Sequence, residues 1–349
     1  MTARGERPRA AYLAGDPALP PESRAEILHR RLMGMPLYAG MLRLCQRLGL
    51  DGRGAVILVP YLWLVFFFLA PFLLVLKISF AEAALAQPPF TALVSYVNDL
   101  ADGGTTFMVD LKLNLYNYAT IFADDLYVRA YLNSLKVAAI STALCLAVGF
   151  PIAYGMARAS EEARQTLLML VILPFWTAFL IRVYAWIGIL RNEGFLNNLL
   201  LWLGVIDQPL TIMNTDWAVY VGIVYSYLPF MILPLYATLE KMDLTLLEAA
   251  ADLGCRPVKA FWKITVPLAM PGIVAGCFLV FIPVTGEFVI PDLLGGAGTL
   301  MIGKTLWNEF FNNRDWPLSS AIAVVLLLAL VVPIVLFQQH QARAAAADR

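Results

Sequence analysis

Six stretches of mostly apolar residues, each near the roughly 20-residue length a helix needs to cross a bilayer, constrain this chain more than any other feature. They run approximately Ala55–Ile78, Ser134–Ala157, Thr166–Leu190, Trp217–Leu239, Pro271–Leu293 and Leu318–Phe337. Composition agrees: 60% of the 349 residues are hydrophobic and 14% are charged, against roughly 45–50% and 25% in soluble domains. A soluble chain of this length needs more polar surface than these residues supply. The polar segment before the first stretch contains no short apolar core ahead of a small-residue cleavage site, so that stretch reads as a retained helix. The sequence therefore predicts an all-α, multispanning membrane protein.

Lysine and arginine collect on the cytoplasmic side of membrane proteins. The amino-terminal tail carries Arg4, Arg7, Arg9, Arg24, Arg30, Arg31, Arg43, Arg47 and Arg53. On the same side fall Arg158 and Arg164, then Lys241, Arg256, Lys259 and Lys263, then Arg343 and Arg349. The opposite side holds only Lys112, Arg129, Arg191, Lys304 and Arg314. Both termini are thus expected in the cytoplasm. The resulting plan is a cytoplasmic tail over 1–54, a transmembrane domain over 55–338 and a cytoplasmic tail over 339–349. External loops fall at 79–129 and 294–317, and a long cytoplasmic loop at 240–270. The first external loop is acidic, which suits either solvation or a basic partner surface. Residues Glu22–Leu50 alternate arginines with apolar side chains and read as amphipathic helices broken near Pro36.

Several chemistries are excluded. The 25 basic and 25 acidic side chains balance, so no basic face advertises nucleic acid. Cys45, Cys145, Cys255 and Cys277 are scattered and only two histidines are present, which leaves no metal site or disulfide framework. No close His, Asp, Glu or Cys constellation suggests a catalytic residue. Gly298–Thr305 fits the GxxxxGK[ST] phosphate-loop pattern. It is rejected, because no strand–helix alternation surrounds it and the charge count puts it outside the cell.

The 240–270 loop carries more. Thr245 and Glu248 are spaced as a capping box, Gly254 and Pro257 end that helix, and a second short helix is expected up to Pro267. Glu248-Ala249-Ala250, three residues, Gly254, nine residues, then Ile264-Thr265-Val266-Pro267 resembles the EAA motif of bacterial ABC importer permeases. Val266 replaces the family's usual leucine. The segments Gly286–Gly296, Met301–Gly303 and Leu306–Pro317 are similar to the polyamine branch of that family, most of all to its putrescine-specific permease subunit. This resemblance implies a six-span type I importer permease in the bacterial inner membrane, importing polyamines and performing no covalent chemistry. It implies that Glu248, Ala249, Ala250, Gly254, Ile264 and Pro267 form the coupling helix seated on an ATPase. The implied partners are a second homologous permease subunit, two ATPase subunits that use ATP and Mg, and an extracytoplasmic solute-binding protein. Other readings are a permease for a metal ion, thiamine or organophosphonate, or a secondary transporter.

Charges inside a span cost about 2.5–3.5 kcal/mol and need a reason. Arg182 and Glu287 each lie about 16 residues into a span, or roughly 24 Å deep in straight helices. Equal depth allows a structural ion pair. Alternatively Glu287, beside the interruptions at Pro283, Gly286 and Pro291, meets a substrate ammonium, with Asp292 at the mouth. Trp176, Tyr184, Trp186 and Tyr225 are either packing and interfacial residues or cation–π contacts on the pathway. Gly272-xxx-Gly276 predicts close helix packing.

Overall fold

The computed structural model describes residues 52–92, 94–99, 106–111, 113–296 and 298–347. The helices expected over Glu22–Leu50 lie outside the described residues. The chain divides into two units, Met1–Leu73 and Leu74–Arg349.

Helix α1 comprises Gly52–Leu64, a π turn over Val65–Leu69, and Ala70–Ser79. The π turn has a local cause. Pro71 lacks an N–H and its ring would strike the carbonyl one turn back in an α-helix. Widening the turn, with the Ala70 amide donating to the Val65 carbonyl, relieves both problems. Trp63 and Phe67 stack at 4.1 Å on this helix. Its apolar side chains are exposed, as at Phe66 and Phe67, which suits contact with lipid.

In the second unit, strands β1 (Val94–Asp99) and β2 (Thr106–Leu111) form an antiparallel hairpin. Helix α2 (Tyr116–Ala123) follows, then α3 (Asp125–Arg158), whose first amides are met by the Asp124 side chain at Leu126 N, 2.8 Å. The expected external loop at 79–129 is therefore folded: it holds a hairpin, a helix and the start of α3. The fold is otherwise helical. Helix α4 (Glu161–Ile172) continues as a 3-10 turn over Leu173–Trp176, and α5 (Phe179–Leu190) and α6 (Phe195–Trp202) come next. Helix α7 covers Asp216–Leu239 and α8 covers Thr245–Asp252. A 29-residue helix, α9, runs Pro257–Thr285. It is followed by α10 (Val289–Leu293), α11 (Ile302–Trp307, closed by a π turn over Asn308–Asn312) and α12 (Trp316–Ala347).

Among the described residues five helices are long and apolar enough to cross a membrane, and six spans result if the bent pair α4 to α6 is one. That pair corrects the expectation of a straight third span. The chain turns by 92° between Trp176 and Phe179. Pro174 sits in the 3-10 turn, and Thr177 and Ala178 take extended backbone, so no helical hydrogen bonds carry across.

Helices α3, α7 and α9 pack together as the core, through Ala138, Cys145 and Ala153, Ile223, Met231 and Leu235, and Val280 and Val284. In lipid, burying apolar area drives little, so close van der Waals approach and polar clamps must hold the bundle. Both are present. A Cβ on Gly272 would lie 2.8 Å from the Pro234 carbonyl, and one on Gly276 would lie 2.7 Å from Met231 Sδ. The GxxxG pair thus faces α7, as its spacing predicts. Asn133 Nδ2 donates to Leu300 O (2.7 Å), Tyr131 OH to Ile322 O (2.6 Å) and Ile302 N to Ser134 Oγ (2.8 Å). These clamps tie α3 to α11 and α12.

Candidate functional site

The fifth span breaks between α9 and α10. Gly286 ends α9, and Glu287 and Phe288 connect it to α10. Glu287 is buried, at 7% exposure. Its Oε1 accepts from the amides of Val289 (3.0 Å) and Ile290 (3.4 Å), and its Oε2 accepts from the Tyr227 hydroxyl. The carboxylate thereby satisfies the free amides that open α10, a role an N-cap side chain plays elsewhere. The carbonyls freed at the other side of the break lie against Gly303. A Cβ there would fall 2.3 Å from Gly286 O and 2.7 Å from Glu287 O, so only glycine lets α11 seat on the break.

The expected Arg182–Glu287 ion pair is not formed. Among the described residues Arg182 Nε and Nη1 are buried without a hydrogen-bond partner, and its guanidinium lies over Phe175 (5.5 Å) and Phe179 (5.7 Å). Three rings stand between the two charges. Phe175 meets Phe230 edge-on at 5.2 Å, and Phe230 lies 6.0 Å from Tyr227, which holds Glu287. The equal-depth arithmetic assumed straight helices, and the bend before α5 removes that premise. Asp292 is also committed: Lys304 Nζ lies 3.3 Å from its Oδ1. Lys304 and Gly303 are residues of the phosphate-loop-like match, and they serve an ion pair and close packing.

Trp186 and Tyr225 meet edge-to-face at 5.3 Å, whereas Tyr184 and Trp176 are exposed singly. The tyrosine that reaches Glu287 is Tyr227, two residues past Tyr225. At ~100° per residue, a two-residue step on α7 turns the side chain to the far side of the helix. Nothing local marks Tyr227, because its partner is 60 residues away in sequence.

The 240–270 loop forms a second candidate site. Helix α8 ends in a left-handed Gly254 (φ +73°), with Cys255 N donating to Ala250 O (2.9 Å) and Gly254 N to Ala251 O (2.8 Å). This two-bond ending is a Schellman motif. The capping box is corrected: Thr245 is already helical, and Asp243 Oδ1 accepts its amide at 3.0 Å. Pro267 does not stop the second helix. A π turn over Phe261–Thr265, with Val266 N donating to Phe261 O, carries α9 through it, as at Pro71. Arg164 anchors the loop's start to α4 by an ion pair with Glu240 (2.9 Å), and Phe261 packs edge-on against Phe150 (5.4 Å). Glu248 and Ala249 are exposed, Ala250 and Ile264 half-buried. Leu253, Val258 and Trp262 are exposed at 88%, 71% and 64%. The loop thus has a tied-down start and helix ending, and it exposes apolar and small side chains.

Residues 147–345 match the family described as the binding-protein-dependent transport system inner membrane component. The chain belongs to that family. It is 41% identical to the spermidine/putrescine transport system permease protein PotB of Haemophilus influenzae over 276 residues, 78% of this chain and 89% of the relative. The protein of the same name from Escherichia coli K12 is 45% identical over 234 residues, 65% of this chain and 85% of that one. In fold the chain is similar to a chain of the bacterial ABC transporter involved in the import of the acidic polysaccharide alginate. The TM-score is 0.61, covering 86% of this chain and 99% of that one at 17% identity. This family member is a multi-pass inner-membrane transport component with a type I importer permease fold, not an enzyme.

Proposed function

We propose that this permease component imports polyamines, putrescine ahead of spermidine, driven by ATP and Mg used on two partner ATPase subunits. A second homologous permease subunit and an extracytoplasmic solute-binding protein complete the assembly. The single observation that carries the substrate class is the 41% identity to PotB across 78% of this chain. The preference for putrescine rests on the segments between Gly286 and Pro317 alone. Chemistry at the break supports a cationic solute. Glu287 is an acidic side chain at the break with no cationic partner among the described residues, since Lys304 is matched by Asp292. Its influence is the field it sets along the pathway rather than direct contact, because Tyr227 and the α10 amides occupy its oxygens. Helix α8 with Glu248, Ala249, Ala250 and Gly254, and the start of α9 with Ile264 and Pro267, is the ATPase-coupling surface on this reading, with the loop and, across six spans, both termini in the cytoplasm.

Uptake of labelled putrescine and spermidine by the reconstituted complex tests this reading. ATP-dependent uptake of both is expected, with the lower half-saturation for putrescine. Uptake of neither, alongside uptake of thiamine or a phosphonate, would defeat the polyamine reading.

A further inference from the structure

A cavity of about 480 Å³ lies where α5 ends and α7 begins, and Arg191, Asn192, Glu193 and Asn214 are among the residues that line it. The 24 residues of α7 separate this cavity from the 240–270 loop, about 36 Å of helix at 1.5 Å per residue. On the transport reading above, that loop meets the ATPases, so the cavity opens on the opposite face, where solute arrives.

Its walls are held in place. Asn197, 1% exposed, bonds both polar groups of Leu210: Nδ2 to the carbonyl and Oδ1 from the amide, each at 2.9 Å. Gly194 N closes a turn onto Arg191 O at 2.8 Å. Asn214 turns the chain in the left-handed region, at φ +63°, which asparagine adopts more readily than other residues that carry a side chain. Within these walls the Arg191 and Glu193 side chains are exposed and enter none of the ion pairs among the described residues. Opposite charges two residues apart on a preorganised rim suit a partner of complementary charge, and preorganisation lowers the ordering cost of binding.

The cavity is also joined to the broken span. Asn214 N donates to Leu294 O at 3.0 Å, and a Cβ on Gly296 would fall 2.3 Å from Asn214 O. Leu294 directly follows α10, the helix whose first amides Glu287 holds.

We infer that this cavity is the socket for a protruding segment of the solute-binding protein, one that presents a carboxylate to Arg191 and a cationic side chain to Glu193. Occupation of the socket reaches α10 through Asn214 and Leu294, so docking and the break at Glu287 share one mechanical element. The inference rests on the transport reading, and the experiment separates the two.

The assembled complex is reconstituted, and ATP hydrolysis is titrated with the solute-binding protein that stimulates the wild type. Arg191→Glu and Glu193→Lys are each expected to raise the half-saturating concentration about tenfold, the loss of roughly 1.4 kcal/mol of coupling. Arg129→Ala, on the exposed pair with Asp125 outside the cavity, serves as the control and leaves it unchanged. Asn192→Cys should crosslink to the solute-binding protein. An unchanged half-saturation in both charge-reversed variants would overturn the socket, and so would crosslinking to the second permease subunit instead. A wild type that shows no stimulation by any solute-binding protein would sink the transport reading itself.

Discussion

At Glu287 the structure places a carboxylate inside a membrane span and gives it three donors, one phenolic and two from the backbone. Leaving such donors buried without an acceptor costs about 1–3 kcal/mol each. Glu287→Leu is therefore expected to lower the thermal midpoint of the purified complex clearly. Glu287→Gln retains a carbonyl oxygen for the amides and should lower it less. Because three rings separate Glu287 from Arg182, adding Arg182→Gln should leave either midpoint where the single variant put it. A midpoint restored by the double substitution, measured by fluorescence-detected size exclusion, would show that the two charges pair in the assembled protein. The residue types at this site were readable in the sequence, and the partner was not.

The elements show how proline and glycine instruct the chain. Prolines in a helix interior cost several kcal/mol when the i−4 carbonyl stays in place, and at Pro71 and Pro267 the chain moves it by inserting a π turn. At Pro174 the helix gives way instead and bends. Gly254 closes α8 in the left-handed region, where a β-branched side chain is strained by about 1–2 kcal/mol. Gly254→Val is expected to lower coupled uptake strongly while the complex still assembles. Ala250→Trp should do the same by blocking close approach of the ATPase. ATP hydrolysis and uptake measured side by side check this: hydrolysis without uptake is the expected pattern, and normal uptake in both variants would remove the coupling role of α8.

For the whole molecule, the proposed orientation in the membrane rests on where the basic side chains collect. A cysteine replacing the exposed Asp125 should react with a membrane-impermeant maleimide from outside intact cells. One replacing the exposed Lys259 should react only after the cells are opened. The opposite pattern would invert the proposed orientation and with it the socket at Arg191 and Glu193. The core of α3, α7 and α9 is held by small residues and polar clamps because lipid offers no reward for burying apolar surface. Gly272 and Gly276 supply the close approach and Asn133 one of the clamps.

Several features set by neighbours along the chain were legible in the sequence itself, although the cap at Asp243 and the helix running through Pro267 were not. A bilayer demands about 20 apolar residues in succession, a left-handed helix ending demands Gly254, and the EAA spacing is a local pattern. Helix α7 is found within one residue of its expected limits. The folded stretch within 79–129 escaped because its hairpin and helices carry weak periodicity between polar residues. Only the tertiary structure decided that Tyr227 rather than Arg182 meets Glu287, that Lys304 belongs to Asp292, and that Gly303 seats α11 on the broken span. Each of those contacts joins segments far apart in sequence or on different helices. A linear pattern states which groups need partners; the path of the backbone through space chooses them.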